Sequence, residues 1–273
     1  MRQLRRVLSE AWKKGGERRM FVELFSGIGA VAREARRISG GPVVTIDVCD
    51  DPRLDLTRAA VVRVLCGWIR SQRCCGVWLA PPCSSWSLAR RPPLRNAEFV
   101  LGIPEVSWDP KAAFQIDQGN RCVEACVAVL RACVRAKVPA MIENPRHSLL
   151  WRHPGLEDTL RHPAVDWMCP DFCAFGARWK KPTRLAGLFT GFCRSLDTRC
   201  FGRGGVCPFS KKYHIELRGK EPSTNTLWTR IAQPYPKSFA KEAARAVIRA
   251  GDRLVLNRLY NLGRERWEET IAR

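Results

Sequence analysis

MFVELFSGIGAVAREAR, residues 20–36, reads as three pieces in succession: an apolar strand (Met20 to Phe25), a sharp glycine turn (Ser26 to Gly29) and the opening of a helix. Glycine at 27 and 29 permits backbone torsions and close ligand approach that a side chain would obstruct. The helix that follows points unpaired N–H groups at the turn. A small polar ligand is one reading of that arrangement. A plain strand-to-helix connection is the other, because a single Gly-x-Gly is a weak motif.

Beyond that stretch, Gly40-Gly41-Pro42 breaks the helix and leads into Val43 to Val48, a β-branched run with Asp47 near its end. This is a second parallel strand, and an acid at that place, about twenty residues beyond the first glycine, can accept hydrogen bonds from a ribose; a plain loop acid is the alternative. Asp55-Leu56-Thr57 starts a helix running to about Arg70, with Ala60, Val61, Val64 and Leu65 facing inward. Gly76 to Ala80 is a buried strand that runs straight into Pro81-Pro82-Cys83. The two prolines end the strand and hold a thiol at its carboxyl edge, where open parallel sheets bind ligands. Residues 88–117 read as a long loop of the kind that forms functional lids or is disordered, and 118–136 as a helix with Cys122, Cys126, Leu130 and Cys133 on its core face. Val138 to Ile142 is another strand, ending in Glu143-Asn144-Pro145. Residues 165–189 hold two strands around the basic, aromatic run from Phe175 to Arg184. From Pro236 to Leu262 the chain is an amphipathic helix with Phe239, Ala243 and Val247 on one face.

At 273 residues the chain is long enough for one main core with a small appendage. Its formal net charge of +21 favours a polyanionic partner, most simply DNA or RNA. No apolar run is long enough to span a membrane and no signal-peptide core follows the start, so a soluble, intracellular protein is expected, nuclear in a eukaryotic cell. Thirteen cysteines, an odd number without a secretory signal, fit a reducing compartment. Residues 1–19 carry seven Arg or Lys against two Glu, with Leu4, Val7, Leu8 and Ala11 at helical spacing. They read as a basic helix or arm: solvated and frayed, contacting nucleic acid, or addressing an organelle.

Three features therefore share one sheet edge: the glycine turn, the prolyl-cysteine and the Glu-Asn turn. A nicotinamide enzyme would account for the glycine turn but not for Pro-Pro-Cys, Glu-Asn or the charge. Glu23-Leu24-Phe25-Ser26-Gly27-Ile28-Gly29 resembles the first motif of the cytosine-C5 methyltransferases, and Pro81-Pro82-Cys83-Ser84-Ser85-Trp86-Ser87 resembles their nucleophile motif. Glu143-Asn144-Pro145 is similar to their Glu-Asn-Val. Phe175-Gly176 with Lys181 and Arg184 looks like a loose form of their Tyr-Gly…Arg-x-Arg segment, and Tyr235 to Ala240 resembles their final motif. Ser84 stands where the family has glutamine, Pro145 where it has valine and Ala30 where glycine is common, so the chain looks like a divergent member.

The resemblance implies an α/β fold of the Rossmann-like class I methyltransferase type: a mostly parallel twisted sheet with helices on both faces and a small irregular C-terminal insertion. Its parts are then a basic arm (1–19), a catalytic core (20–189), a Cys/Gly-rich insertion (190–234) and a closing helical segment (235–273). It implies S-adenosylmethionine held by Phe25, Ser26, Gly27 and Gly29, with Asp47 on the ribose, Asp55 and Leu56 beside the adenine, and Ser238 in the closing helix. Cys83 becomes the nucleophile for cytosine C6, activated by nearby cations and a helix N-terminus; Glu143 holds the ring's Watson–Crick edge, and Arg184 or Lys181 its carbonyl oxygen. The implied partner is nucleic acid, DNA ahead of RNA. One constellation lies outside these motifs: Cys193, Cys200, Cys207 and His214 recur every seven residues in a glycine-rich stretch. Three thiols and an imidazole suit a closed structural zinc site, although the intervals exceed the usual Cys-x(2–4)-Cys; thiols scattered in a loop are the alternative.

Overall fold

A computed structural model describes residues 1–202 and 204–271, apart from the side chains at 258, 259 and 262–271. Residues 272 and 273 of the closing segment lie outside it. Six strands, β1 (Met20–Leu24), β2 (Val43–Ile46), β3 (Cys74–Leu79), β4 (Ala140–Pro145), β5 (Val165–Met168) and β6 (Thr183–Leu188), form one sheet in the order β2-β1-β3-β4-β6-β5. The first four are parallel; β6 runs antiparallel to both β4 and β5. Every residue of β1 and β3 is buried, as expected of central parallel strands covered on both faces. The chain leaves β1 toward β2 and returns to the other side with β3. That reversal opens a crevice beyond the carboxyl ends of β1 and β3, where such sheets bind ligands. The architecture is Rossmann-like α/β.

Two cores flank the sheet. On one face α1 (Arg2–Lys14), α3 (Ala59–Arg70), α4 (Pro110–Ala136) and α5 (Pro154–Leu160) cover Val22, Leu24, Val77, Leu79 and Ile142. On the other, α2 (Ala30–Ile38) and α7 (Lys237–Ile271) cover Phe21, Trp78, Met141 and Leu185. Helix α7 lies so close to β3 that a Cβ added at Gly251 would strike the backbone carbonyl of Cys75. Phe239, Ala243 and Val247 are fully buried on the face expected of them, and so, on the opposite side, are Cys126, Leu130 and Cys133.

Two expectations are corrected. The basic N-terminal segment is no free arm, because Leu4 and Leu8 of α1 are fully buried in the main core and each contributes roughly 2 kcal/mol by burial. Its Arg and Lys side chains occupy the outward face. Residues 88–117 are not one long loop either, since α4 begins at Pro110, eight residues before the expected start. Asp109 caps it by accepting from Lys111 N at 3.0 Å, proline occupies its first position, and Ala112 and Ile116 pack on Leu94. The remaining loop is pinned by Arg95, whose guanidinium lies 3.6 Å from the Trp86 ring centre. Arg95 also donates to the carbonyls of Ser85, Val100 and Ile116 and to Asn120 Oδ1. Burial pulls its pKa down to about 10. Among the described residues no helix is long and apolar enough to cross a membrane.

Candidate active site

The glycine turn follows β1 as expected, with Phe25, Gly27 and Gly29 all at positive φ (+53°, +51° and +64°). A Cβ at Gly27 would meet nothing within 4 Å, so glycine is favoured there by torsion and not by crowding. The helix N-terminus, however, does not present all its N–H groups to the turn. The buried Glu23 carboxylate reaches over from β1 and accepts from Ala32 N at 2.6 Å and from Val31 N. Burial pushes the Glu23 pKa up to about 7 against those two N–H groups and the charges of Arg36 and Arg33.

Asp47 lies just past β2 and braces the turn from the other side. Its Oδ2 accepts from Gly27 N and its Oδ1 from Cys49 N, both at 2.8 Å. A cleft of about 370 Å³ opens here, lined by Ser26, Gly27, Gly29, Arg33, Thr45 and Asp50 among others. Ser26 Oγ is buried with no hydrogen-bond partner among the described residues, and such an orphaned hydroxyl suits a polar ligand seated on the turn. Turn, unpaired hydroxyl and bracing acid together fit the polar portion of a nucleoside-type cofactor. Asp55 and Leu56 follow on the turn after β2. Leu56 is buried among core side chains, and Asp55 closes on Thr57, accepting from its N at 2.9 Å and its Oγ1 at 2.8 Å. Ser238 donates to Phe175 O at 2.7 Å, tying the first turn of α7 to the 3-10 turn Phe172–Phe175.

One strand over, Pro81-Pro82-Cys83 leaves the end of β3, and Asn144 Nδ2 of β4 donates to Pro81 O at 2.9 Å, so the two strand ends are joined. Cys83 is half-buried. Burial pushes its thiol pKa up, the Glu143 carboxylate adds to that, and the Lys181 ammonium opposes both. The resting thiol is therefore not activated in the direction expected from the sequence: burial and the Glu143 carboxylate together outweigh the Lys181 ammonium. Glu143 is itself buried and its pKa is raised by that burial, against Lys181 and a hydrogen bond from Tyr235. Lys181 donates from Nζ to Ala232 O at 2.7 Å and sits 4.9 Å from the Phe172 ring centre.

Arg184 is separated from this group. In the antiparallel register Glu143 faces Leu185 and Asn144 faces Arg184. Side chains alternate between faces, so Arg184 falls on the opposite face from Glu143 and Leu185. Its guanidinium stacks 5.9 Å from the Trp151 ring centre and 5.5 Å from that of Trp167. Cys83, Glu143 and Lys181 come together; Arg184 does not join them.

Tyr235 was missed by sequence reasoning as a site residue. Its hydroxyl donates to Glu143 Oε2 at 2.6 Å, across 92 positions. Trp78, Phe172 and Phe239 surround its ring, with centres 5.2–6.0 Å away. The available signal was its place at the head of the closing motif. Asp171 was also missed: fully enclosed, it accepts from Arg146 at 2.8 Å and from Cys200 N at 2.8 Å. A second cleft, about 410 Å³, lies between α5 and β5 beside Trp151 and Trp167, and no residue expected to act lines it.

The cysteine cluster is also revised. The four ligating residues that converge are Cys173, Cys200, Cys207 and His214, with one ligand atom from each within 4.8 Å of all the others. Cys193 lies outside the group, with its Sγ 3.2 Å from Ser195 Oγ. The seven-residue interval suggested Cys193, but the chain folds back onto the 3-10 turn that carries Cys173.

No family model and no curated protein matches the chain. Among solved structures it is similar to the Entamoeba histolytica methyltransferase EhMeth, at 13% identity over 73% of this chain and 57% of that one, with a TM-score of 0.36. It is also similar to the S. pombe Dnmt2 methyltransferase, at 14% identity over 62% of this chain and 50% of that one, again with a TM-score of 0.36. The chain thus spans about half the length of each.

Proposed function

We propose that this protein is an S-adenosylmethionine-dependent methyltransferase acting on C5 of cytosine in nucleic acid, DNA ahead of RNA. The observation that carries the reading is the meeting of Cys83, Glu143 and Lys181 at the carboxyl edge of β3 and β4, one strand from the glycine-turn cleft. S-adenosylmethionine, when bound, supplies an electrophilic methyl group. Ser26, Gly27 and Gly29 would hold it, with the remaining lone pairs of Asp47 toward its ribose.

Cytosine C5 is a weak nucleophile. The Cys83 thiol, once its proton is lost, adds through sulfur to C6 and pushes electron density toward C5. Glu143, whose burial favours the protonated form, gives a hydrogen bond or proton to N3, with Tyr235 fixing the carboxyl orientation through Oε2. Lys181 supplies the cation for the ring carbonyl and lowers the thiol pKa as the Glu143 proton is engaged. After methylation the C5 proton leaves to solvent, its bonding electrons re-form the C5–C6 double bond, Cys83 departs with the electrons of the sulfur–C6 bond, and any proton given to N3 returns to Glu143. A duplex target must leave its stack, at a cost of a few kcal/mol. The net charge of +21 supplies attraction for either polymer.

The raised thiol pKa favours a second reading, a nucleic-acid-binding protein of this fold that performs no transfer. Labelled methyl transfer to DNA and RNA, beside Cys83→Ala and followed by nucleoside analysis, separates the two. Label in 5-methylcytosine that vanishes with Cys83→Ala supports the enzyme, and the labelled polymer identifies its substrate. Binding of nucleic acid without label, unchanged in Cys83→Ala, would leave only the second reading.

A further inference from the structure

Among the described residues of 190–231 the buried side chains are Thr190, Leu196, Cys200 and Cys207. The segment contains no strand, and its one helix is α6 (Trp228–Ile231). Cys200 and Cys207 pack into a cluster whose only other member is Cys173. Three thiols offer too little apolar surface to fix a segment of this length against its loss of chain entropy. Something further must hold it.

The four converging ligands meet that need. Cys173 stands on the 3-10 turn Phe172–Phe175, and Cys200 is set by its N–H to the enclosed Asp171. Cys207 and His214 flank a tight turn closed by Cys207 N to Lys212 O at 2.8 Å and by the Val206–Tyr213 bridge. His214 Nε2 lies 3.7 Å from Cys200 Sγ. Zinc bonds of about 2.3 Å to sulfur and about 2.0 Å to nitrogen put tetrahedral ligand atoms roughly 3.5–3.8 Å apart, so the 4.8 Å bound calls for a contraction of at most about 1.3 Å. The N–H groups of Phe209 and Ser210 point at Cys207 Sγ, an arrangement that stabilises negative charge on sulfur.

We propose that Cys173, Cys200, Cys207 and His214 form a closed structural zinc site that clamps residues 190–215 onto the 169–181 segment. Binding replaces three Sγ–H bonds by Sγ–Zn bonds, releases those protons to solvent and involves no change of oxidation state. A nitrogen donor with three sulfurs and no open position suits Zn²⁺ over the oxygen-seeking cations. Ile215 N to Arg178 O at 2.9 Å and Cys169 N to Asp197 Oδ1 at 2.7 Å run between the same two segments, so the clamp joins surfaces already in register. The proposal is independent of the reaction performed at Cys83.

The test is elemental analysis of the full chain after zinc is supplied and unbound metal removed, with thiol titration and Co²⁺ substitution on the same protein. One zinc per chain, released in step with thiol modification and replaced by Co²⁺ with tetrahedral visible bands and sulfur-to-cobalt charge transfer, is expected. Cys173→Ser should weaken zinc retention against a chelator by at least about tenfold, whereas Cys193→Ser should retain one zinc per chain. If Cys173→Ser fails to fold, the cobalt spectrum of the parent and the Cys193→Ser metal content still decide. A parent chain that retains no zinc, an octahedral cobalt spectrum, or loss of zinc in Cys193→Ser would overturn the assignment.

Discussion

Glu23→Gln tests how the glycine turn is held. The carboxyl is 1% exposed, and its pKa stands at about 7 against an ordinary 4.5. A folded-state pKa above the unfolded value means the native protein binds the proton more tightly. Stability is then greatest below about pH 4.5 and is lost as pH rises toward 7, where the unfolded chain ionises and the folded one resists. The shift of 7 − 4.5 corresponds to about 3 kcal/mol at 1.36 kcal/mol per unit, of which about 2.5 kcal/mol falls between pH 5 and pH 8. Glutamine keeps an oxygen for the Ala32 and Val31 N–H groups and removes the titration. Urea unfolding of both proteins at those two pH values gives the double difference, in which all other titrating groups cancel. The variant should gain on the parent by about 2 to 3 kcal/mol as pH rises. Parallel pH profiles would show that the Glu23 carboxylate ionises in the folded protein at no such cost, and that burial does not hold its proton.

Tyr235→Phe removes the hydroxyl from Glu143 Oε2 and should cost about 1–2 kcal/mol of stability by denaturant unfolding. Because that hydrogen bond lowers the Glu143 pKa, its loss raises it further, so the alkaline limb of a methyl-transfer profile should move to higher pH. Arg184→Ala should lower stability by about 1 kcal/mol through lost stacking on Trp151 and Trp167 and leave methyl transfer within about threefold. Lys181→Ala should instead reduce transfer by at least about tenfold; the reverse ranking of these two rates would restore Arg184 to the site.

Much of the fold was legible because its signals are local. The buried runs of β1 and β3, the glycine turn and the proline pair after Leu79 each announce their own conformation over a few residues. The α4 start was misplaced because Asp109-Pro110 reads equally well as a loop, and only the packing of Ala112 and Ile116 on Leu94 decides for helix. The α1 charge pattern resembles a solvated arm because five of its thirteen residues are Arg or Lys, while Leu4 and Leu8 alone determine where it docks. Partners distant in sequence left no such trace: the Tyr235–Glu143 bond and the exchange of Cys173 for Cys193 both depend on how separate segments fold back.

Arg184 shows the same limit in a sharper form. A motif preserves order and approximate spacing, but in a strand a displacement of one residue moves a side chain to the other face of the sheet. Glu143 and Asn144 are consecutive, as are Leu185 and Arg184, and the register pairs the first with the first and the second with the second. Glu143 therefore turns toward the face of α7 and Tyr235, whereas Arg184 turns toward Trp151. Lys181 escapes this alternation because it precedes β6, with φ at +37° in the loop before the strand. That loop can bring an ammonium to the Glu143 side that no residue at position 184 could reach without a change of register. The cation that acts on Cys83 is consequently held by the chain between the 3-10 turn and β6, the same segment that the Cys173 cluster would anchor.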